Sequence, residues 1–431
     1  MTARKLALNV LLRCERGGGY STLTLDSALK GAELSDSDRA LATCLVFGVI
    51  SRKITLDYYI SELSSLPDRK IEPETRNIIR LGLYQLIYLD RIPAHAAVNE
   101  SVALAPRRSV GFVNALLRSY LRKKDEIKLP SDPIAAMSVS KSFPEALCEK
   151  IVAEYGYSRA ESVFEAMNIT PALTLRVNTL KTDRDCLIQS FISAGIDAEP
   201  GKLSPFAIKI NGTPVTKLPG FDEGLFFVQD EASQLCTAAV GAKPGNFFID
   251  TCAAPGSKSF GVAMTMENCG KIMSFDLHEN KVSLIRSGAT NLGINIINAQ
   301  SADARSFVAE LEEQADCVLC DVPCSGFGVI AKKPEIRFKS LEDAANLPDI
   351  QYSIIDNCSR YVKPGGVLVY STCTVLSAEN ADNVARFLSD HKEFSLENFN
   401  VNGKEYPAEL QLLPDTDGCD GFYIAKFRKN V

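Results

Sequence analysis

The 431-residue sequence predicts a multidomain protein: an all-α bundle, then a small α+β unit, then an α/β domain built on a parallel, doubly wound sheet of the Rossmann-like kind. Three observations predict this. The chain is too long for one ordinary core. Its first part carries apolar residues at helical spacing with no strand-like run, up to about residue 125. After Asp230 the pattern changes to short apolar runs, each closing on a polar residue and each separated by a helical segment. The expected boundaries are 1–130, 131–229 and 230–431.

In the first region, "DRALATCLVFGVISRKITLDYYI" puts Leu41, Cys44, Leu45, Gly48 and Val49 on one helical face. "PETRNIIRLGLYQLIYL" is a second helix, opened by a proline where the missing N–H costs nothing. "VNESVALA" and "GFVNALLRSYL" add shorter ones. The polar, proline-bearing "KKDEIKLPSDP" (123–133) reads as a linker. The middle region mixes helices ("PEALCEKIVAEYG", "RDCLIQSFISAG") with strands ("ALTLRVNTL", "FAIKI", "GLFFVQD"). In the last region the strands are "NFFID", "KIMSFD", "INIINAQSAD", "DCVLCD" and "GGVLVYS", closing on Asp250, Asp276, Asp303, Asp321 and Ser371. Ligands of parallel sheets bind beyond the carboxyl ends of the strands, so these residues are expected on one crevice.

Hydrophobic residues at 46% and charged residues at 23% are ordinary for a globular protein. No apolar stretch reaches the ~20 residues needed to span a bilayer, and the start is too broken by charge for a signal peptide; a cytoplasmic chain with no membrane partner is expected. Thirteen scattered cysteines suit a reducing compartment. Cys317, Cys320 and Cys324 are the one toehold for zinc. Cys317 and Cys320, at odd separation in a strand, point to opposite faces, and no metal is expected. Net charge is −6, but residues 1–140 carry a net +5 and the remainder −11. The basic excess lies in "APRRSVGFVNALLRSYLRKKDEIK" (105–128), suited either to phosphates or to a solvated helix face.

"DTCAAPGSKS" (250–259) follows the first strand with a tight turn at Gly256 and a helix near Lys258. It is neither of the glycine patterns that cradle pyrophosphate. Asp276 ends the next strand where a carboxylate can accept from a ribose diol, and Asp303 the third, placed to meet an adenine. Any one aspartate can be a turn or cap residue. As a set they suit a nucleoside without phosphates, joined to an amino acid: S-adenosylmethionine.

The thiols of "DVPCSG" and "STCT" stand in polar contexts that a packing cysteine has little reason to occupy. Cytosine is a poor nucleophile at carbon 5 until a thiolate adds to carbon 6, and cysteine is suited to that attack. A second acid–base group must then help expel the thiol. Asp321 lies three residues before Cys324 and can hydrogen-bond the nitrogen 3 edge of the ring. His95, His278 and His391 fall outside both motifs.

These three motifs resemble those of the RNA 5-methylcytosine methyltransferases, the NOL1/NOP2/Sun group. "DRALATCLVFGVI", "LRLGLYQLIYL", "IPAHAAVNESVALA" and "GFVNALLR" in order resemble a NusB-like RNA-binding domain. The combination, over nearly the whole chain, is similar to the bacterial branch that acts on small-subunit (16S) ribosomal RNA. The resemblance implies that Cys373 is the nucleophile and that Cys324 assists product release. It also implies that Cys252, Ala253, Ala254, Pro255, Gly256, Ser257 and Lys258 form the cofactor loop, with Asp276, Asp303 and Asp321 completing the S-adenosylmethionine site. Ser257 stands where the group has glycine; if that position needs positive φ, serine costs about 1 kcal/mol and cofactor affinity falls. Val322 and Thr374 are tolerable departures.

With a NusB-like bundle, Arg107, Arg108, Arg118, Arg122, Lys123 and Lys124 become candidate phosphate contacts. "AKKPEIRFK", with Lys332 and Lys333, is a second candidate for holding RNA over the site, and the middle unit a further platform. The expected partner is small-subunit ribosomal RNA, naked or early in assembly, bound by a monomer. Two alternatives stay open: the same chemistry on tRNA, and a non-catalytic RNA-binding or antitermination factor.

Overall fold

The computed structural model describes residues 1–17 and 21–431, which form two compact units. The part of the helical expectation that falls on residues 18–20 lies outside the described residues.

The first unit, Met1–Ile169 with Ile330–Leu341, is helical. It contains α1 (Ala3–Gly17), α2 (Ser21–Lys30), α3 (Asp36–Ser51), α4 (Lys53–Leu63), α5 (Pro73–Tyr88), α6 (Ala94–Leu104), α7 (Val110–Lys123), α8 (Pro133–Lys141), α9 (Glu145–Tyr155) and α10 (Tyr157–Ala166). Ser35 caps α3 by accepting from the Asp38 N–H, and two aspartates in the first turn oppose the helix dipole. Pro73 opens α5, as its position suggests. The core joins Leu6, Val10 and Leu11 of α1 to Leu45 and Val49 of α3 and Ile78, Ile79 and Leu83 of α5. The buried stripe of α3 is Ala42, Leu45, Val46 and Val49; the expected Leu41 and Cys44 lie at its margin, half-buried. Gly48 has to be glycine, because a Cβ there would stand 1.9 Å from the Tyr84 ring. Arg80, buried, is matched in charge by Asp57 (two contacts of 2.7 Å) and Glu15 (2.6 Å).

Helices α8–α10, expected with the α+β unit, pack into this first unit instead. The Thr55 hydroxyl donates to the Val139 carbonyl at 2.5 Å, Ser142 Oγ accepts from the Ile54 N–H at 3.0 Å, and Phe143 packs on Phe164 with centroids 4.3 Å apart. Ile330–Leu341 is a detour, taken by the chain between two stretches of the second unit. Its Arg337 is fully buried and donates to the carbonyls of Pro334, Ser51 and Ser142 and to Asn168 Oδ1. The guanidinium lies 4.3 Å from the Phe143 ring centroid. Of the stretch "AKKPEIRFK", expected as a second candidate for holding RNA, not every cation faces outward. Arg337 is spent inside the helical unit and Lys332 is half-buried, which leaves Lys333 and Lys339 exposed.

The second unit, Thr170–Val329 with Glu342–Val431, holds two sheets and a hairpin. Strands β1 (Leu173–Val177), β2 (Ala198–Pro200), β3 (Ala207–Ile210) and β4 (Phe226–Val228) form an antiparallel sheet in the order β2-β3-β1-β4, with α11 (Arg184–Ser193) against it. The sequence pattern does not reveal β2, a short edge strand ending in proline and largely exposed.

The larger sheet is built from β5 (Phe247–Asp250), β6 (Lys271–Asp276), β7 (Ile297–Ser301), β8 (Ala315–Asp321), β9 (Val362–Thr372), β10 (Phe394–Leu396), β13 (Glu409–Leu412) and β14 (Phe422–Lys429). β11 (Phe399–Val401) and β12 (Lys404–Tyr406) pair separately. Its order is β10-β14-β9-β8-β5-β6-β7, with β13 beside β14. Strands β5 to β9 run parallel, and β14 returns antiparallel to β9, a reversal the sequence reading did not foresee. α12 (Glu231–Val240), α13 (Ser257–Thr265) and α14 (Glu279–Leu292) cover one face; α16 (Leu347–Ser359) and α17 (Ala381–Asp390) cover the other, while α15 (Leu341–Ala344) and α18 (Pro414–Asp417) are single turns. Alternation along β8 sends Cys317 and Leu319 into the first core, and Val318 and Cys320 into the second. Among the described residues no helix is long and apolar enough to cross a membrane.

Candidate active site

The strand order reverses beside β5, whose neighbours are β6 and β8. That switch point opens a crevice at the carboxyl ends of the strands. The loop after β5, the loop after β8 and the end of β9 all emerge there, carrying residues 251–256, Cys324 and Cys373.

The first loop is tied down on both sides. The Ala253 N–H donates to the Phe275 carbonyl at 2.7 Å, and the Ala254 N–H to Asp276 Oδ2 at 3.3 Å. Gly256 is at φ +110°, where a Cβ would meet the Phe260 ring at 2.4 Å. Ser257 is not at positive φ; it is the first residue of α13, so the expected cost of serine there is withdrawn. Asp276 accepts one backbone N–H on each oxygen, from Ala254 and from His278 (3.1 Å), and has lone pairs to spare. Asp303 lies two residues beyond β7, and its carboxylate is gripped by the Arg305 guanidinium at 2.7–3.2 Å, which holds its carboxyl below the usual range.

Asp250 is fully buried at the end of β5, with Oδ2 accepting from Ser259 Oγ at 2.7 Å and Oδ1 without a hydrogen-bond partner among the described residues. Burial pushes its carboxyl up to about 7. Lys258 reaches back from α13 to Asp321, Nζ to Oδ2 at 2.5 Å, and the other carboxylate oxygen accepts from Ser371 Oγ at 2.8 Å. Burial works against the Lys258 ammonium, but the Asp321 charge outweighs it and the pKa rises. The pairing of Lys258 with Asp321 was not visible in the sequence, which separates them by 63 residues.

The two thiols, 49 residues apart in the chain, stand 3.1 Å from sulfur to sulfur and are not bonded. The Cys373 N–H also donates to Cys324 Sγ at 3.3 Å. The sulfurs are unequal. Hydrogen bonding from Cys324 lowers the pKa of Cys373 despite its burial, with the Lys258 charge helping. Cys324, hydrogen-bonded to Cys373 and buried, is pushed well up. At that separation one thiol can donate to the other.

Of the basic candidates, Arg107, Arg108, Arg118, Arg122, Lys123 and Lys124 are all exposed at or near α7; Arg108 is engaged with Glu72 at 2.5 Å and Arg118 with Asn114 at 2.9 Å. Among the described residues there is no cluster of potential metal ligands.

A parallel sheet with a ligand loop at its switch point, one reversed strand at its edge and a pair of thiols on its rim defines a Rossmann-like methyltransferase domain of a dithiol type. Comparison with known proteins narrows this. Residues 238–428 match the family of 16S rRNA methyltransferases RsmB/F, residues 1–122 the NusB family, and residues 143–216 the ferredoxin-like domain of the RsmF/B-like methyltransferases. The probable ribosomal RNA small subunit methyltransferase B of Bacillus subtilis is 39% identical over 99% of both chains. The ribosomal RNA small subunit methyltransferase B of Photorhabdus laumondii is 32% identical over 92% of both. The crystal structure of PH0851 has a TM-score of 0.81 at 25% identity, covering 98% of both chains. The chain belongs to the ribosomal RNA small subunit methyltransferase B family.

Proposed function

We propose that this chain methylates carbon 5 of a cytosine in 16S ribosomal RNA, through a covalent Cys373 adduct, with Cys324 assisting release. The observation that carries the reading is the meeting of two unbonded thiols, 3.1 Å apart, beside Asp321 and the loop after β5. Addition to and elimination from one pyrimidine need two such groups within reach of one ring.

The loop and strand ends suit S-adenosylmethionine. Asp276 offers acceptors for a diol, and the free N–H groups at the start of α13 suit a carboxylate. Bound there, the cofactor supplies an electrophilic methyl group to carbon 5. Cys373 adds as thiolate to carbon 6, forming the S–C bond while the carbon 5–carbon 6 π pair shifts onto the ring and carbon 5 becomes nucleophilic. The Asp321 carboxylate accepts from the exocyclic amino group on the nitrogen 3 edge, and Lys258 fixes that carboxylate. After methylation the carbon 5 proton passes to Cys324, which by then has given up its own proton to solvent. The carbon 5–hydrogen pair re-forms the double bond, and the carbon 6–sulfur pair returns to Cys373. The base must be unpaired or flipped to enter, and the exposed cations of α7 supply phosphate contacts.

Cys373→Ala is expected to abolish methyl transfer and to retain cofactor binding. Cys324→Ala is expected to accumulate an enzyme–RNA adduct that survives denaturing electrophoresis. An active Cys373→Ala enzyme, with no adduct from either variant, refutes the roles. Bisulfite sequencing of 16S ribosomal RNA from a deletion strain identifies the cytosine; an unchanged pattern there, with a lost tRNA mark, moves the substrate to tRNA.

A further inference from the structure

We infer that two consecutive residues, Glu379 and Asn380, are the positioning residues of the dithiol site, Glu379 setting Cys324 and Asn380 setting Cys373. This deepens the proposed function and rests on its assignment of the two thiols. Neither residue belongs to the motifs, and both are buried (2% and 1% exposed) in the turn that precedes α17.

Glu379 Oε2 accepts the backbone N–H of Ser325 at 2.9 Å, the residue after Cys324. The same oxygen accepts from Gln351 Nε2 at 2.8 Å, and that amide also donates to the carbonyl of Pro323 at 3.0 Å, the residue before Cys324. Cys324 is therefore held from both sides by one carboxylate–amide pair. Asn380 does the same for the other thiol. Its Oδ1 accepts the Thr372 hydroxyl at 2.5 Å, and its Nδ2 donates to the Thr374 carbonyl at 3.2 Å. A bond of 2.8 Å between Ser325 Oγ and Thr374 Oγ1 ties the two gripped loops together. Tyr370 OH donates to the Glu379 carbonyl at 2.6 Å, which fixes the turn itself.

The polar groups make sense only as a clamp. Burying a carboxylate and an amide costs more than filling the same space with apolar side chains. The second carboxylate oxygen of Glu379, Oε1, has no partner among the described residues, so this side chain is not there for a saturated network.

Because the clamp splits between the thiols, its two halves have different phenotypes, which a residue needed only for folding does not give. The test uses the full chain, an in vitro transcribed 16S ribosomal RNA and S-adenosylmethionine, with Cys324→Ala and Cys373→Ala in parallel. Glu379→Ala is expected to mimic Cys324→Ala: turnover falls by about 10²-fold, the scale for a misplaced reacting group, and adduct accumulates. Asn380→Ala is expected to lose turnover without adduct, as Cys373→Ala does. Glu379→Gln keeps an oxygen that accepts both N–H groups and is expected to stay within about threefold of the parent, well short of that ~10²-fold loss.

A second readout needs no RNA: the pH midpoint for alkylation of Cys373, followed on its own peptide by mass spectrometry. It should move to higher pH in Cys324→Ala and in Glu379→Ala, and not in Glu379→Gln. If Cys324→Ala traps no adduct, the assigned roles of the thiols fail, and the alkylation midpoints still decide the clamp. If Glu379→Ala leaves the midpoint in place, or if Glu379→Gln is as damaged as Glu379→Ala, the clamp is refuted.

Discussion

Asp250→Asn tests whether burial at the end of β5 is felt as free energy. The wild-type carboxyl is pushed from an ordinary 3.8 to about 7, with desolvation the largest cause. Below pH 4 it is protonated in both folded and unfolded chains and costs nothing. Between pH 4 and 7 the unfolded chain ionises while the folded one holds its proton, so stability falls as pH rises. Above 7 the loss levels off. Three units correspond to about 4 kcal/mol, of which about 1.5 is already present at pH 5. Asparagine cannot ionise and removes this loss, but its NH₂ takes the place of the unpartnered Oδ1 and costs about 1–3 kcal/mol. The absolute gain is therefore small, and the pH-dependent part is the diagnostic. The variant should gain about 2–3 kcal/mol on the parent between pH 5 and pH 8, or roughly 5–10 °C in Tm for a unit of this size. Calorimetry of both proteins across that range measures it, and every other titrating group cancels in the difference. Parallel curves for the two proteins would refute the assigned burial of Asp250.

Three further outcomes are expected. Arg337→Lys, which swaps a fork for a point donor, leaves at least one of its four acceptors unpaired and should cost about 1–3 kcal/mol in the helical unit, read as a lowered first unfolding transition. Lys258→Met leaves Asp321 unpaired next to the thiols, so Cys373 should alkylate only at higher pH and cofactor-dependent turnover should fall. Replacing Arg122, Lys123 and Lys124 together by alanine should weaken 16S RNA binding whatever its sequence, and flatten the logarithmic salt dependence by up to about two to three units.

Parallel strands such as "FFID" and "CVLCD" were legible because each is an apolar run that ends on a polar residue where the pattern says, whereas β7, "INAQS", is mostly polar. The meeting of Cys324 and Cys373 was legible only as a consequence of strand order, since nothing within either motif points to the other. Glu379, Asn380 and Gln351 were invisible for a physical reason: buried polar partners follow no period, and their meaning depends on which backbone groups the fold leaves beside them. The same holds for Arg337. In the sequence it is one cation of a basic run, and only packing shows that its charge is turned inward onto carbonyls.

The detour of Ile330–Leu341 makes the first unit a structure that its own stretch of chain cannot finish. Residues up to 169 can form helices as they are synthesised, but Arg337, Ile336 and Pro334 are still to come, and the ribosome must reach residue 341 of 431 before they arrive. Until then the carbonyls of Ser51 and Ser142 lack the donor they have in the finished protein. Cutting the chain after residue 169 therefore does not release a finished helical module. It releases one with an open seam, and closing that seam takes a peptide whose synthesis also completes the Cys324 loop.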